Sequence, residues 1–203
     1  MKVAIGSTPY DGPWGGGNRF VLALWEALEA AGHAVAHSLR NRDIDVILMV
    51  DPRLRSPNVA FGAGAILRYL LWRNPNALVI HRINECDERK GEPFINHKLV
   101  RANYVADATV FVGEWLTQLP VWRAHLRSPW FVVRNGSDAR LFNRQHFQPW
   151  VGQGPLNLVT HHWGYHPMKG FDVYAAIDRF SAQGSIAYVH FRNVRGKAPR
   201  RER

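Results

Sequence analysis

Ala77-Leu-Val-Ile-His-Arg-Ile-Asn-Glu-Cys-Asp-Glu-Arg-Lys-Gly91 is the stretch on which the fold turns. Its first seven residues, ALVIHRI, read as a short buried strand, and the polar loop behind them then lies at the carboxyl end of a sheet. The same kind of run recurs on both sides. Toward the N-terminus stand Lys2–Gly6 (KVAIG), Val35–His37 and Asp45–Val50 (DVILMV), the last stopped by Asp51-Pro52. Toward the C-terminus stand Ala108–Val112 (ATVFV) and Trp130–Val133 (WFVV), which runs into the turn dipeptide Asn135-Gly136. Helical spacing separates them. Asn18 opens a helix carrying Val21, Leu24, Leu28 and Ala31, with Gly32 at its end. Phe61–Trp72, Asn96–Val105 and Glu114–His125 follow, the last broken at Pro120. Continuous apolar strands alternating with helices predict an α/β fold, a doubly wound parallel sheet covered on both faces, over residues 1–142.

Residues 143–155 are rich in Gln, Gly and Pro and read as a linker. A strand-helix-strand pattern then restarts over 156–191, with Leu156–Thr160, Gly170–Phe180 and Ser185–Phe191. Two strands and one helix cannot cover both faces of a parallel sheet, so this second β-α-β unit reads as incomplete.

The chain has 203 residues, 46% of them hydrophobic and 21% charged, which is globular composition. No apolar run reaches the ~20 residues that span a bilayer, and the start lacks the apolar core of a signal peptide, so a cytoplasmic location is the default expectation. One cysteine, Cys86, cannot form an intramolecular disulfide. The formal charge is +10, and half of it sits in the tail 192–203, where six Arg and Lys stand against Glu202. A basic tail suits anionic lipid or nucleic acid. The body carries no nucleic-acid motif, so nucleic acid is not an expected partner. Peripheral association with the inner face of a membrane stays open.

Four constellations carry chemistry. Gly15-Gly16-Gly17-Asn18 lies between the first strand and the first helix, where backbone N–H groups and the helix N-terminus favour a phosphate. Its spacing is neither Gly-x-Gly-x-x-Gly nor a P-loop. His81–Gly91 packs seven ionisable side chains besides cysteine into eleven positions, suited to sugar hydroxyls and phosphates or simply to solvent. Arg134–Asp138 reads as a turn, with Asp138 capping a short helix. In Thr160–Gly170, Lys169 precedes a helix and can neutralise a diphosphate. The His162/His166 spacing would permit a helical metal site, but Gly164 and Pro167 argue against a helix there, and no metal is expected.

Taken in order, the Gly15–Gly17 loop, the Val-Phe-Val-x-x-Trp-Leu segment Val110–Leu116, the Asn-Gly-x-Asp-x-x-x-Phe turn Asn135–Phe142 and Lys169-Gly170 before a helix resemble family 4 retaining glycosyltransferases of the GT-B fold. The resemblance covers about residues 1–191. It implies a Rossmann-like N-terminal domain on the acceptor side, a second domain holding most of a nucleotide-sugar donor, and metal-independent transfer with retention and no cofactor. It places Gly15, Gly16, Gly17 and Lys169 at the donor phosphates. The family's Arg a few residues before the Lys is replaced here by His162. Glu85 and Asp87 are the catalytic candidates, and Asn84 and Arg89 the acceptor-side candidates, by position in the loop.

The family's second domain also carries two glutamates separated by seven residues. After Lys169 the acidic residues are Asp172, Asp178 and Glu202. The expectation is a truncated transferase, weakly active or inactive alone. The alternative is a non-catalytic binding module that pairs with a separate partner chain or a second copy, with Trp115, Trp122, Trp130, Trp150 and Trp163 available for the interface.

Overall fold

The computed structural model describes residues 1–10, 15–51, 58–91, 93–140, 142–153, 157–162, 170–182 and 188–193. The chain divides into two compact units, Met1–Gly136 and Ser137–Arg203. The break falls just after the Asn135-Gly136 turn, a few residues before the boundary expected at residue 142.

The first unit holds β1 (Lys2–Ile5), α1 (Gly16–Ala30), β2 (Ala34–Ala36), β3 (Val46–Met49), α2 (Ala63–Trp72), β4 (Leu78–Ile83), α3 (Asp87–Lys90), α4 (Ile95–Asn103), β5 (Ala108–Phe111), α5 (Glu114–Thr117), α6 (Pro120–His125) and β6 (Trp130–Val132). The six strands form one sheet in the order β2-β1-β3-β4-β5-β6, and every neighbouring pair is parallel. This is a Rossmann-like doubly wound α/β fold.

Strand alternation sorts the core onto two faces. On one, Val3 and Ile5 of β1 and Leu48 and Val50 of the β3 region pack with Val21, Leu24 and Leu28 of α1. On the other, Ala4, Ile47, Met49 and Val79 meet Ile66 and Tyr69 of α2 and Ala102 of α4. That second face continues through Ile83 and Phe111, which pack with Leu99 of α4, Leu116 of α5 and Trp122 of α6. Trp122 is fully buried and meets Phe111 edge-on at 5.3 Å between ring centroids. So α1 serves one face and α2, α4, α5 and α6 serve the other. By alternation Phe131 of β6 lies on the α1 face, and it is 54% exposed.

Local differences from expectation have local causes. α1 begins at Gly16 rather than Asn18, because Gly15 holds the N-cap position and the Asn18 side chain is used elsewhere. The helix expected over Glu114–His125 is split, and Pro120 starts the second piece, where its missing N–H costs nothing. Among the described residues, 139, 140 and 142–153 form no helix. Asp138 Oδ1 instead accepts the Arg140 N–H at 2.9 Å, closing a turn.

In the second unit, β7 (Asn157–His162) pairs in parallel with β8 (Tyr188–Asn193), and α7 (Phe171–Ala182) lies between them in sequence. The two strands pair with each other and not with the six-stranded sheet. β8 runs to Asn193, two residues past the expected end. Among the described residues no helix is long and apolar enough to cross a membrane.

A buried polar chain crosses the α2/α4 face. The His81 Nδ1 lies 2.9 Å from Asn103 Oδ1, and Thr109 Oγ1 donates to the same oxygen at 3.0 Å. Since that oxygen only accepts, the imidazole proton sits on Nδ1. Burial pulls the His81 ring down to about 4, against smaller opposing effects from Asn103 and Asp51. An unfolded histidine titrates near 6.5. The unfolded chain therefore takes up this proton first as pH falls, and the stability that the neutral ring supplies is complete above about 6.5 and lost toward 4. The loss from this one group is ~3 kcal/mol. Urea unfolding at pH 7.5, 6 and 5 should show the stability gap between the native protein and His81→Gln narrowing with acid. Parallel pH curves for the two proteins would contradict this.

Candidate functional site

Because the strands are parallel, every loop that follows a strand leaves from the same edge of the sheet. The strand order also reverses beside β1, since β2 lies on one side of it and β3 on the other. Ligands of open α/β sheets bind at that kind of switch, outside the carboxyl ends of the strands.

The loop after β1 is held at both ends. Gly6 N–H donates to Leu48 O at 2.8 Å, and a Cβ at Gly6 would lie 3.1 Å from that oxygen and 3.2 Å from the Phe61 ring. Segment 58–60 returns across it: Thr8 N–H donates to Asn58 O at 2.9 Å and Ala60 N–H to Gly6 O at 3.2 Å. Further on, the Asn18 amide grips Tyr10 twice, accepting from its N–H and donating to its carbonyl, both at 2.8 Å. Asn18 is thus a clamp that closes the loop, and the glycines before it are left open. Gly16 and Gly17 are exposed, and a Cβ on either would meet nothing within 4 Å. α1 has no side-chain cap, and the Gly16 and Gly17 amides have no partner among the described residues. Unsatisfied first-turn amides of a 15-residue helix favour an anion.

A small cleft opens at the carboxyl ends of β3 and β4. Val50, Asp51, Asn84, Glu85, Ile95, Lys98 and Leu99 line it. Two carboxylates, one amide and one ammonium over an apolar floor can hydrogen-bond a polyhydroxylated ligand.

The candidates of the His81–Gly91 loop divide. Asn84 and Glu85 face the cleft. Asp87 turns to α4, where its Oδ1 accepts the Ile95 N–H at 2.5 Å and the Asn96 N–H at 3.1 Å. It caps a helix from eight residues upstream. Asn96 answers, its Oδ1 accepting the Asp87 N–H at 3.2 Å and its Nδ2 donating to Glu88. Arg89 is exposed and donates to the Asn84 carbonyl at 3.0 Å, which fixes the backbone beside the cleft. Cys86 is buried, and burial pushes its thiol up, away from nucleophilic use. His162 ends β7, at the carboxyl end of the second unit's first strand. Lys169 and His166 lie outside the described residues. Among the described residues no group of three or more His, Cys, Asp or Glu is placed to hold a metal ion.

Arg82 is the residue that sequence reasoning passed over. It shares the α1 face with Ile80 and is only 4% exposed. Its guanidinium lies over the Phe20 ring of α1 at 3.7 Å, and Nη2 donates to Asn135 Oδ1 at 2.7 Å. Nη1 is buried with no partner among the described residues. A charged residue on the inward beat of an apolar strand was the available signal. Asp51 and Lys98 were missed as well. Asp51 was read only as a strand stop, although that position puts it at the functional edge.

Asp87→Ala should destabilise the protein by ~1–2 kcal/mol in urea unfolding, since two first-turn amides lose their acceptor. Arg89→Ala should stay within about 0.5 kcal/mol. Equal effects would contradict the capping assignment. No family model matches this chain, and no curated protein matches it.

Proposed function

We propose that this protein is glycosyltransferase-like, transferring a sugar from a nucleotide-sugar donor to an acceptor with retention at the anomeric carbon. The observation that carries the reading is the open Gly16-Gly17 amide pair at the start of α1, beside the switch in strand order and on the same edge as the Asp51/Asn84/Glu85/Lys98 cleft. One group suits phosphate and the other suits hydroxyls. The ordered motifs Gly15–Gly17, Val110–Leu116, Asn135–Phe142 and Lys169-Gly170 add the resemblance to family 4 transferases.

In this reading the α1 amides hold negative charge that grows on the diphosphate as the anomeric C–O bond breaks. Lys169, and His162 in place of the family's Arg, are the residues that the family resemblance assigns to a donor diphosphate. Asn84 and Glu85 orient the acceptor hydroxyl. Asp87 and Arg89 support the loop from behind.

A second reading keeps the fold and drops the chemistry: a binding module that pairs with another chain. The exposed Phe131 and Val133 on and beside β6 favour it, because among the described helices of the first unit only α1 packs on that face of the sheet.

The test is incubation of the whole chain with UDP-glucose, UDP-N-acetylglucosamine and GDP-mannose, reading release of UDP or GDP and calorimetric binding of each nucleotide. The transferase reading expects at least one donor to release nucleotide slowly even onto water. Gly17→Val should weaken nucleotide binding by roughly tenfold or more by crowding the amides. A folded protein that binds none of these nucleotides at millimolar concentration would overturn the reading.

A further inference from the structure

The outer side of α2 is built against the usual rule for a surface helix. Its sequence, AGAILRYLLW, holds one charged residue, Arg68. Ile66 and Tyr69 are buried on the sheet, and Leu70 packs beside them. Leu67, Arg68, Leu71 and Trp72 fall on the opposite side of the helix. Leu67 is 46% exposed, Leu71 65% and Trp72 70%. A helix that is apolar all round is ordinarily buried, and a surface helix ordinarily turns charge outward. α2 is apolar on both sides and open on one. An exposed apolar face of that kind marks an interaction surface.

Charge indicates what covers it. α4 packs beside α2, and α6 beside α4. None of these three helices carries a carboxylate. Their exposed cations are Arg68, Arg101 and Arg123, besides Lys98, which lines the cleft. α1, on the other face, sets Glu26 and Glu29 against Arg19. Each crossover helix returns the chain to the start of the next strand, so α2 and α4 both end at the amino edge of the sheet. There Trp72 and Arg73 close α2, and exposed Tyr104 closes α4, with the Arg127 guanidinium 5.7 Å from its ring. The carboxylates at that edge serve the fold: Asp43 holds Lys2 Nζ at 2.7 Å, and Asp107 accepts the Val79 N–H at 2.7 Å.

A second copy docked across a two-fold axis would set these arginines against their own duplicates. Nucleic acid would use the arginines and leave Leu67 and Leu71 without a role, since aliphatic side chains are not stacking platforms for bases. An anionic bilayer uses both. Tryptophan and tyrosine rings sit at headgroup level, and arginine stems lie along apolar surface while their guanidinium groups reach lipid phosphates.

We propose that the outer side of α2, with Arg73, Tyr104 and Arg127 beside it, docks the protein on an anionic lipid surface. Leu67, Leu71 and Trp72 enter the boundary between headgroups and acyl chains, and the arginines stay at headgroup level. The contact belongs to the folded first unit and not to the basic residues of 192–203. It lies away from the carboxyl edge that carries the candidate site, and it does not depend on sugar transfer.

The experiment is flotation of the full chain with vesicles of phosphatidylcholine, with and without phosphatidylglycerol, at low and high salt. The chain should float with the anionic vesicles at low salt and stay behind with phosphatidylcholine alone. Trp72→Ser should weaken binding by roughly tenfold or more, because an exposed indole no longer enters the boundary. Arg68→Gln should weaken it about fivefold. Circular dichroism checks that each variant folds. If one does not, the native ¹⁵N-labelled chain decides: nitroxide-bearing lipid in anionic bicelles should broaden the Leu71 and Trp72 amide signals. A chain that never floats, or that floats equally well as Trp72→Ser because 192–203 carry the binding, overturns the proposal. So does a solution dimer that Trp72→Ser dissociates, which would put a second copy on this face. RNA or polyglutamate held through Arg68, with no flotation, would assign the face to another polyanion and overturn it too.

Discussion

Parallel pairing is the constraint from which the rest follows. A strand that runs beside its neighbour in the same direction must be returned by a crossover, and the backbone of a parallel sheet needs cover on both faces. The six strands of the main sheet are therefore built on short apolar runs, and a helix stands in the chain between each successive pair of them except β2 and β3. The same constraint sends every strand-to-helix loop to one edge. Gly15–Gly17, Asp51, Asn84–Asp87 and Asn135 are far apart in sequence, and all follow strand ends at that edge. The site is a consequence of direction before it is a consequence of any one side chain.

The order of strands adds the second element. The chain goes from β1 to β2 on one side, then crosses to β3 on the other, so the loops after β1 and β3 diverge. Segment 58–60 comes back over residues 6–8 and ties the two together. Gly6 is required where it stands because the backbone of β3 and the Phe61 ring leave no space for a side chain. Asn18 then holds the far end of the loop through Tyr10. A loop anchored at both ends presents open amides in a fixed place, and that preorganisation matters more for anion binding than the number of glycines.

The strands were legible because burial on both faces writes a short continuous apolar run. The break at Pro120 was legible because proline lacks the amide that a helix interior needs. Asp87 was not. A carboxylate in a polar loop looks the same in sequence whether it faces a ligand or caps a helix eight residues away, and only the fold brings Ile95 N–H to it. Arg82 was read as one member of a charged loop. Its two-residue alternation with Ile80 placed it inside, but its partners on α1 and after β6 are 62 and 53 residues distant and have no local signature. The strand-helix-strand order of the second unit was readable from its apolar runs and helical spacing.

Whether this edge of the sheet receives phosphate is the central claim, and a crystal structure of the chain with a bound nucleoside diphosphate tests it most directly. The account predicts phosphate oxygens within hydrogen-bond distance of the Gly16 and Gly17 amides, at the start of α1. A well-ordered nucleotide bound elsewhere, with those amides facing only solvent, would contradict it.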